Sequence, residues 1–182
     1  SFGIASYKKA GLIKPFDLVF TAGSVLSNYD QYSHKTIQLN LPDYEQYVLA
    51  KRISEPIVHG EYAVFLDLNM PYQSDLALDG LETVDPASYY QSLNQFFTLI
   101  EKQHNLKVVI AAHPKTDPNL DSFDGREVYR LITAELVKDC EFVISHHSTS
   151  FSYAVFNHKP CMFIYTNEME DLYPNCRVRD NW

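Results

Sequence analysis

Short apolar runs alternate with helical patterns between residues 107 and 160, and this alternation limits the possible folds more than any other feature. The runs VVIAA (residues 108–112) and FVIS (residues 142–145) both stop abruptly at polar residues. A segment with helical spacing lies between them, and another follows the second run. Apolar runs of this length separated by helices are typical of buried parallel strands. We therefore predict an α/β fold with a parallel sheet and flanking helices.

The remaining segments extend this pattern in both directions. We predict strands at residues 17–21, 35–39, 62–66 and 161–165, and helices after Asp43, from Asp85-Pro86, over 126–139, over 149–156 and over 167–173. Residues 54–60 contain Pro56 and Gly60 and indicate a linker. We therefore predict a boundary near residue 58, with residues 1–58 as the end of an N-terminal domain and 59–182 as the sheet domain. Because the chain begins at Ser1 without an initiator Met or a signal peptide, we expect it to be part of a longer protein.

Composition limits the classes of partner. The net charge of −8 disfavours a broad nucleic-acid interface, although it leaves room for a local phosphate site. The three cysteines form no CxxC pair, and they favour a reduced, cytoplasmic setting over a disulfide framework or a zinc site. No apolar run approaches the roughly 18 residues that a membrane-spanning helix requires.

Polar clusters follow both apolar runs. His113-Pro114-Lys115 comes directly after the first run, and Ser148-Thr149-Ser150 follows the second at the start of a predicted helix, with Ser148 as its N-cap. Ligands of α/β sheets bind at the carboxyl ends of the strands, where helix N-termini offer free N–H groups. Imidazole, ammonium and hydroxyl groups can all donate to an oxyanion. The sequence therefore predicts an anion site, most simply for a phosphate or diphosphate.

Other polar residues leave more than one interpretation open. His146 and His147 are adjacent, so on extended chain they point in opposite directions and do not favour a shared metal. Asp67 ends a predicted strand and could bind a sugar hydroxyl, act as a base or cap a turn. Arg126 could reach an anion or be solvated.

A family resemblance rests on the order of these motifs. The stretches YAVFLD, VVIAAHPK, TAELVKD and FVISHHSTSFSYAVFNHKPCMFI follow one another between residues 62 and 164. This order resembles the Rossmann-like nucleotide-sugar-binding half, the C-terminal half, of bacterial surface-polysaccharide glycosyltransferases with the GT-B architecture. The His-Pro and Ser/Thr motifs are similar to those of bacterial sialyltransferases, polysialyltransferases and Kdo transferases, which build capsules and lipopolysaccharides.

The resemblance implies specific roles. His113 would be catalytic, neutralising the departing nucleotide's phosphate, and Pro114, Lys115 and the hydroxyls of residues 148–150 would help to hold the donor. Asp67, Arg126 and Tyr72, which lies on the loop after Asp67, would lie near the nucleotide or sugar. The donor would be CMP- or UDP-linked, with no cofactor or metal.

The resemblance also implies partners and a location. The acceptor would be a glycan or a lipid-linked glycan, and no nucleic acid would bind. The enzyme would be cytoplasmic, at the inner face of the membrane, with peripheral attachment through regions outside this chain. The isolated piece is expected to lack activity if the acceptor side is missing. A nucleotide-sugar epimerase, a glycerophosphotransferase of similar architecture and a non-catalytic domain of a polysaccharide-assembly complex remain alternatives.

Overall fold

The computed structural model describes residue 11 and residues 14–22, 33–73, 82–117 and 121–172. The chain forms two compact units, Ser1–Glu45 and Gln46–Trp182. In the first unit, β1 (Val19–Ala22) pairs in parallel with β2 (Thr36–Leu39), close to the predicted strands. Helix α1 (Pro42–Ala50) runs across the division between the units, and the domain boundary near residue 58 stays a prediction.

The second unit contains a five-stranded parallel sheet. Its strands are β3 (Tyr62–Leu66), β4 (Lys107–Ala112), β5 (Val128–Arg130), β6 (Phe142–Ser145) and β7 (Cys161–Phe163). They lie in the order β5-β4-β3-β6-β7, and every pair is parallel. This confirms the predicted α/β fold with a parallel, Rossmann-like sheet.

Helices cover both faces of this sheet. They are α2 (Pro86–His104), α3 (Thr133–Asp139), α4 (Ser152–Phe156) and α5 (Asn167–Leu172). Successive strand residues face opposite sides. Val64 and Val143 belong to the core that contains Leu136 of α3, whereas Phe65 and Ile144 belong to the core around the long helix α2. Burial on both faces explains why the strands are continuous apolar runs.

Helix α2 begins where its sequence predicts. The Asp85 carboxylate accepts a 2.9 Å bond from the Ser88 N–H, and Pro86 occupies the first turn. The helix ends at His104, and its C-cap Asn105 adopts a left-handed φ of 51°. Its aromatic stripe packs on the sheet, with the rings of Phe65 and Phe97 5.0 Å apart. No helix in the described ranges is both long and apolar enough to cross a membrane.

One predicted element is wrong in its first half. Residues 126–139 carry apolar residues at helical spacing, but helix α3 starts only at Thr133, and Val128–Arg130 form the edge strand β5. Pairing with β4 supplies backbone partners that the sequence pattern does not reveal. The loop after Asp67 contains a 3₁₀ turn at Met70–Tyr72, and residues 74–80 lie outside the described ranges. The predicted last strand ends two residues early, at Phe163.

Candidate anion-binding cleft

The strand order places a topological switch point between β3 and β6. From β3 the chain moves outward to β4 and β5, and it then returns to the other side of β3 as β6 and β7. The loops after β3 and β6 therefore leave the sheet edge in opposite directions, and a crevice opens between them. Ligands of open α/β sheets bind in such a crevice, outside the carboxyl ends of the strands.

A cleft of about 280 Å³ lies at this position. Its lining comes from the ends of β3, β4, β5 and β6: Leu66, Asp67, Leu68, Ala111, Ala112, His113, Pro114, Leu131, Thr133, Ser148, Thr149 and Ser150. Six of the nine predicted site residues are among them. In particular, His113 and the Ser148-Thr149-Ser150 cluster, 35 residues apart in sequence, share one cavity. The volume suits a phosphate with an adjoining sugar, since pockets for whole drug-sized ligands begin at about 300 Å³.

The half-buried His113 has its tautomer set by the turn that it begins. The Lys115 N–H donates to its Nδ1 at 3.2 Å, and the Thr116 N–H donates to its carbonyl at 3.0 Å. A neutral imidazole that accepts at Nδ1 carries its proton on Nε2. His113 can therefore offer an Nε2–H donor without carrying a charge, and the intervening Pro114 restricts the turn.

Asp67 holds this turn against the end of β3. Its carboxylate is 4% exposed and accepts bonds from the Asn69 N–H at 2.8 Å, the His113 N–H at 3.3 Å and the Thr116 hydroxyl at 2.7 Å. These three donors compensate for the burial of the carboxylate. Of the three interpretations of Asp67, the geometry favours the one in which it caps a turn. The residue positions His113, and both of its oxygens already accept bonds from the protein.

Ser148 is the N-cap that the sequence predicts. Its hydroxyl accepts from the Ser150 N–H at 3.2 Å, and its carbonyl accepts from the Phe151 N–H at 3.2 Å. The predicted helix over 149–156 starts as a 3₁₀ turn, Thr149–Phe151, which continues into α4. Because Ser148 already caps this short helix, the side-chain hydroxyls of Thr149 and Ser150 are better placed than the helix N-terminus to serve a ligand.

Leu131 forms an unexpected apolar part of the cleft. The residue follows β5, is 82% exposed and has a left-handed φ of 60°. Such a conformation is strained for a bulky side chain, costing of the order of 1–2 kcal/mol. No sequence signal marks this position. The exposed side chain supplies an apolar surface beside the polar groups of the cleft.

Arg126 is not part of the cleft, and its predicted anion-binding role is not supported by its contacts. All five of its N–H donors are used. Nε and one Nη2 proton bind the Glu101 carboxylate at 2.9 and 2.8 Å, and the others reach the Asn94 side chain, the Phe123 carbonyl and the Thr98 hydroxyl at 3.0, 3.2 and 3.0 Å. Arg126 therefore joins α2 to the segment before β5.

Lys115 and Tyr72 also lie outside the cleft lining. Lys115 is exposed beside His113, and its backbone N–H rather than its ammonium makes the described contact with the imidazole. Tyr72 is 50% exposed and lines a separate groove along α2.

The two adjacent histidines differ completely in environment, as their predicted opposite orientation requires. His147 is exposed, whereas His146 is 1% exposed. The His146 Nδ1–H donates to the Ile164 carbonyl at 2.7 Å, and Nε2 accepts from the Tyr89 hydroxyl at 2.9 Å. Burial lowers the pKa of His146, and this effect outweighs the bond to the Ile164 carbonyl and the Asp67 charge, which both act to raise the pKa. His146 therefore joins β6, the end of β7 and α2 as a neutral core residue.

The sequence analysis identified residues that line the cleft, but it did not identify residues such as Thr116 that support them. Thr116 could have been suspected, because a hydroxyl three residues after His113 suits a turn. Within the described ranges, no group of three His, Cys, Asp or Glu side chains is arranged to hold a metal. The prediction that no metal is used stays a prediction.

In comparisons with known protein families, curated proteins and solved structures, nothing matches this chain. Its function must therefore be inferred from its own residues.

Proposed function

We propose that this chain is the donor-binding part of a glycosyltransferase that uses a CMP- or UDP-linked sugar to build a bacterial surface polysaccharide. One observation carries the proposal: His113 and the Ser148-Thr149-Ser150 cluster line the same cleft at the switch point of the sheet. The order of motifs that resembles the GT-B glycosyltransferases supports the same assignment.

The chemistry of the cleft suits a leaving phosphate. Glycosyl transfer builds negative charge on the phosphate oxygens, and fixed donors that stabilise this charge lower the barrier. The His113 Nε2–H and the hydroxyls of Thr149 and Ser150 are such donors, while Leu131 would contact an apolar face of the donor. The Lys115 N–H favours His113 as a hydrogen-bond donor rather than as a general acid, because an imidazolium would carry a proton on the nitrogen that accepts this bond.

The proposal requires that binding depend on the phosphate and on His113. Calorimetric titration of CMP, UDP and cytidine into the chain tests both points. We expect one nucleotide to bind, cytidine to bind at least about tenfold more weakly, and His113→Ala to weaken the nucleotide by about tenfold, since a hydrogen bond to a charged group contributes about 1.5–3 kcal/mol.

His147→Ala is the matched control. It removes an exposed imidazole from the loop after β6, outside the cleft lining, and should leave nucleotide affinity unchanged. Equal losses in the two variants would contradict the assignment of His113. Thr149→Val and Ser150→Ala should each weaken CMP or UDP by about threefold.

The competing functions give different results. Turnover of a UDP-sugar without an acceptor would indicate an epimerase, and transfer of glycerol phosphate from a CDP-glycerol donor would indicate a glycerophosphotransferase. Absence of binding by any nucleotide or nucleotide sugar would reject a donor site and favour a non-catalytic domain.

A further inference from the structure

Leu131 lies beside His113 at the sheet edge where the cleft opens. Strand β5 pairs with β4 so that Arg130 is opposite Ala112, and the residues that follow these two are Leu131 and His113. Both of them line the cleft. The polar donors of the cleft are therefore bordered on the β5 side by an aliphatic side chain, which cannot bind a phosphate.

The backbone around Leu131 is fixed by its neighbours, whereas its side chain is not packed. Arg130 belongs to the β4–β5 ladder, and Ile132 packs against the core and accepts a 3.1 Å bond from the Leu136 N–H at its carbonyl. Between these anchors, the left-handed φ of 60° at Leu131 turns the chain from β5 towards α3. The side chain is 82% exposed, the highest value among the large hydrophobic residues of the described ranges.

Leucine is an unusual residue for this conformation. The other non-glycine residues with positive φ in the described ranges are Asn69, Asn105, Asp124 and His158, which are all of the types that tolerate it. Leu131 carries the strain of a bulky side chain in the left-handed region, and its exposure shows that packing within the chain does not compensate for it. Strained residues of this kind concentrate at ligand sites.

We propose that Leu131 determines the specificity of the cleft by packing against the ring attached to the bound phosphate, so that nucleotides are held in preference to inorganic anions. The inference rests on the proposed function, because it takes His113, Thr149 and Ser150 as the phosphate donors. Contact with a ribose, base or sugar ring removes part of the exposed leucine surface from water, and an inorganic phosphate offers no such contact.

Calorimetric titration of CMP, UDP and UDP-N-acetylglucosamine into Leu131→Asn tests this contact. Asparagine tolerates the left-handed backbone but removes the apolar surface. Burial of about half of a leucine side chain corresponds to about a three- to tenfold change in affinity, and we expect a loss of this size. Weaker binding of CMP or UDP would place Leu131 against the nucleoside, whereas weaker binding of UDP-N-acetylglucosamine alone would place it against the transferred sugar.

Competition by pyrophosphate separates the ring contact from the phosphate donors. Because pyrophosphate has no ring, its inhibition constant against a bound nucleotide should be the same for Leu131→Asn and for the parent chain. Leu131→Met keeps an apolar side chain of similar volume, and it should bind nucleotides within about twofold of the parent chain.

Leu99→Asn is the matched control, because Leu99 is a 52% exposed leucine of α2 that lies outside the cleft lining. It should leave nucleotide affinity unchanged. The two asparagine variants should also differ in their urea denaturation midpoints. The midpoint should be unchanged or higher for Leu131→Asn, where backbone strain is relieved, and lower for Leu99→Asn, because asparagine is a poorer helix former than leucine.

Three results would overturn this inference alone. In the first, the parent chain binds nucleotides and Leu131→Asn binds them all equally well. In the second, Leu131→Asn weakens pyrophosphate as much as it weakens the nucleotides, which would indicate a disturbed cleft. In the third, Leu131→Asn has a lower urea midpoint than the parent chain, which would show that the leucine supports the fold.

Two further results would overturn the proposed function and this inference together. They are the absence of nucleotide binding by the parent chain, and an inability of pyrophosphate to displace a nucleotide from it. Measurements on the parent chain therefore test the phosphate site, and the comparison of Leu131→Asn with the parent chain tests the role of the leucine.

Discussion

Replacing Arg126 with methionine should lower the free energy of unfolding by about 2.5 kcal/mol at pH 7. The two bonds to Glu101 contribute about 1.5 kcal/mol after allowance for the 26% exposure of that carboxylate. The substitution also leaves the Asn94 side-chain oxygen without a donor, at about 1 kcal/mol, whereas the Phe123 carbonyl keeps the bond from the Arg126 backbone N–H at 3.1 Å. Methionine fills much of the same volume, so cavity formation adds little.

The cost of Arg126→Met should depend on pH, because the Glu101 carboxyl is charged only at pH values above its pKa. Burial alone would raise its pKa, but the bond and charge of Arg126 and the Val108 N–H lower it below the ordinary 4.5. A lowered folded-state pKa stabilises the fold above pH 4.5, and this contribution disappears as the pH falls through the folded pKa. At pH 3 the cost of Arg126→Met should therefore shrink towards about 1 kcal/mol, the part that comes from Asn94.

Urea denaturation followed by far-UV circular dichroism at pH 7, 5 and 3 measures this difference. Arg130→Met is the matched control, because Arg130 makes no ion pair within the described ranges, and it should cost less than about 1 kcal/mol. A cost for Arg126→Met below about 1 kcal/mol at pH 7 would contradict the conclusion that Arg126 joins α2 to the segment before β5. An equal cost at pH 3 and pH 7 would contradict it as well.

Three further predictions concern the cleft and its support. Asp67→Asn should lose about 2 kcal/mol of stability and weaken CMP or UDP about tenfold by calorimetry, whereas Thr116→Val should lose only about 1 kcal/mol in urea. His146→Phe should cost about 2 kcal/mol at pH 7. The cost of His146→Phe should fall between pH 7 and pH 5. Because the pKa of His146 is lowered in the folded state, the parent chain loses stability as the pH drops below 6.5, and the variant does not. An equal cost at pH 7 and pH 5 would contradict this. Ser148→Ala should cost about 1 kcal/mol as a lost N-cap, and a change below about 0.3 kcal/mol would argue against the cap.

The parts of the fold that sequence could predict are those in which local pattern and tertiary environment agree. The strands β3, β4 and β6 are buried on both faces, so their apolar runs are unbroken. Strand β5 is different, because its three residues are half-buried or exposed and are held by pairing with β4 on one side only. An edge strand of this kind carries almost no apolar signal, and the helical spacing around it dominated the prediction.

The same distinction applies to the site. His113 and Ser148 could be placed together from sequence because parallel strands all end at one edge of the sheet, whatever their separation along the chain. The partners of Arg126 could not, since Glu101 and Asn94 lie 25 and 32 residues away, on a helix whose rotation is set by packing. An arginine after a loop has the same sequence signature whether it binds a ligand or clamps a helix. The number of its donors already satisfied separates the two cases, and that number depends on coordinates rather than on pattern.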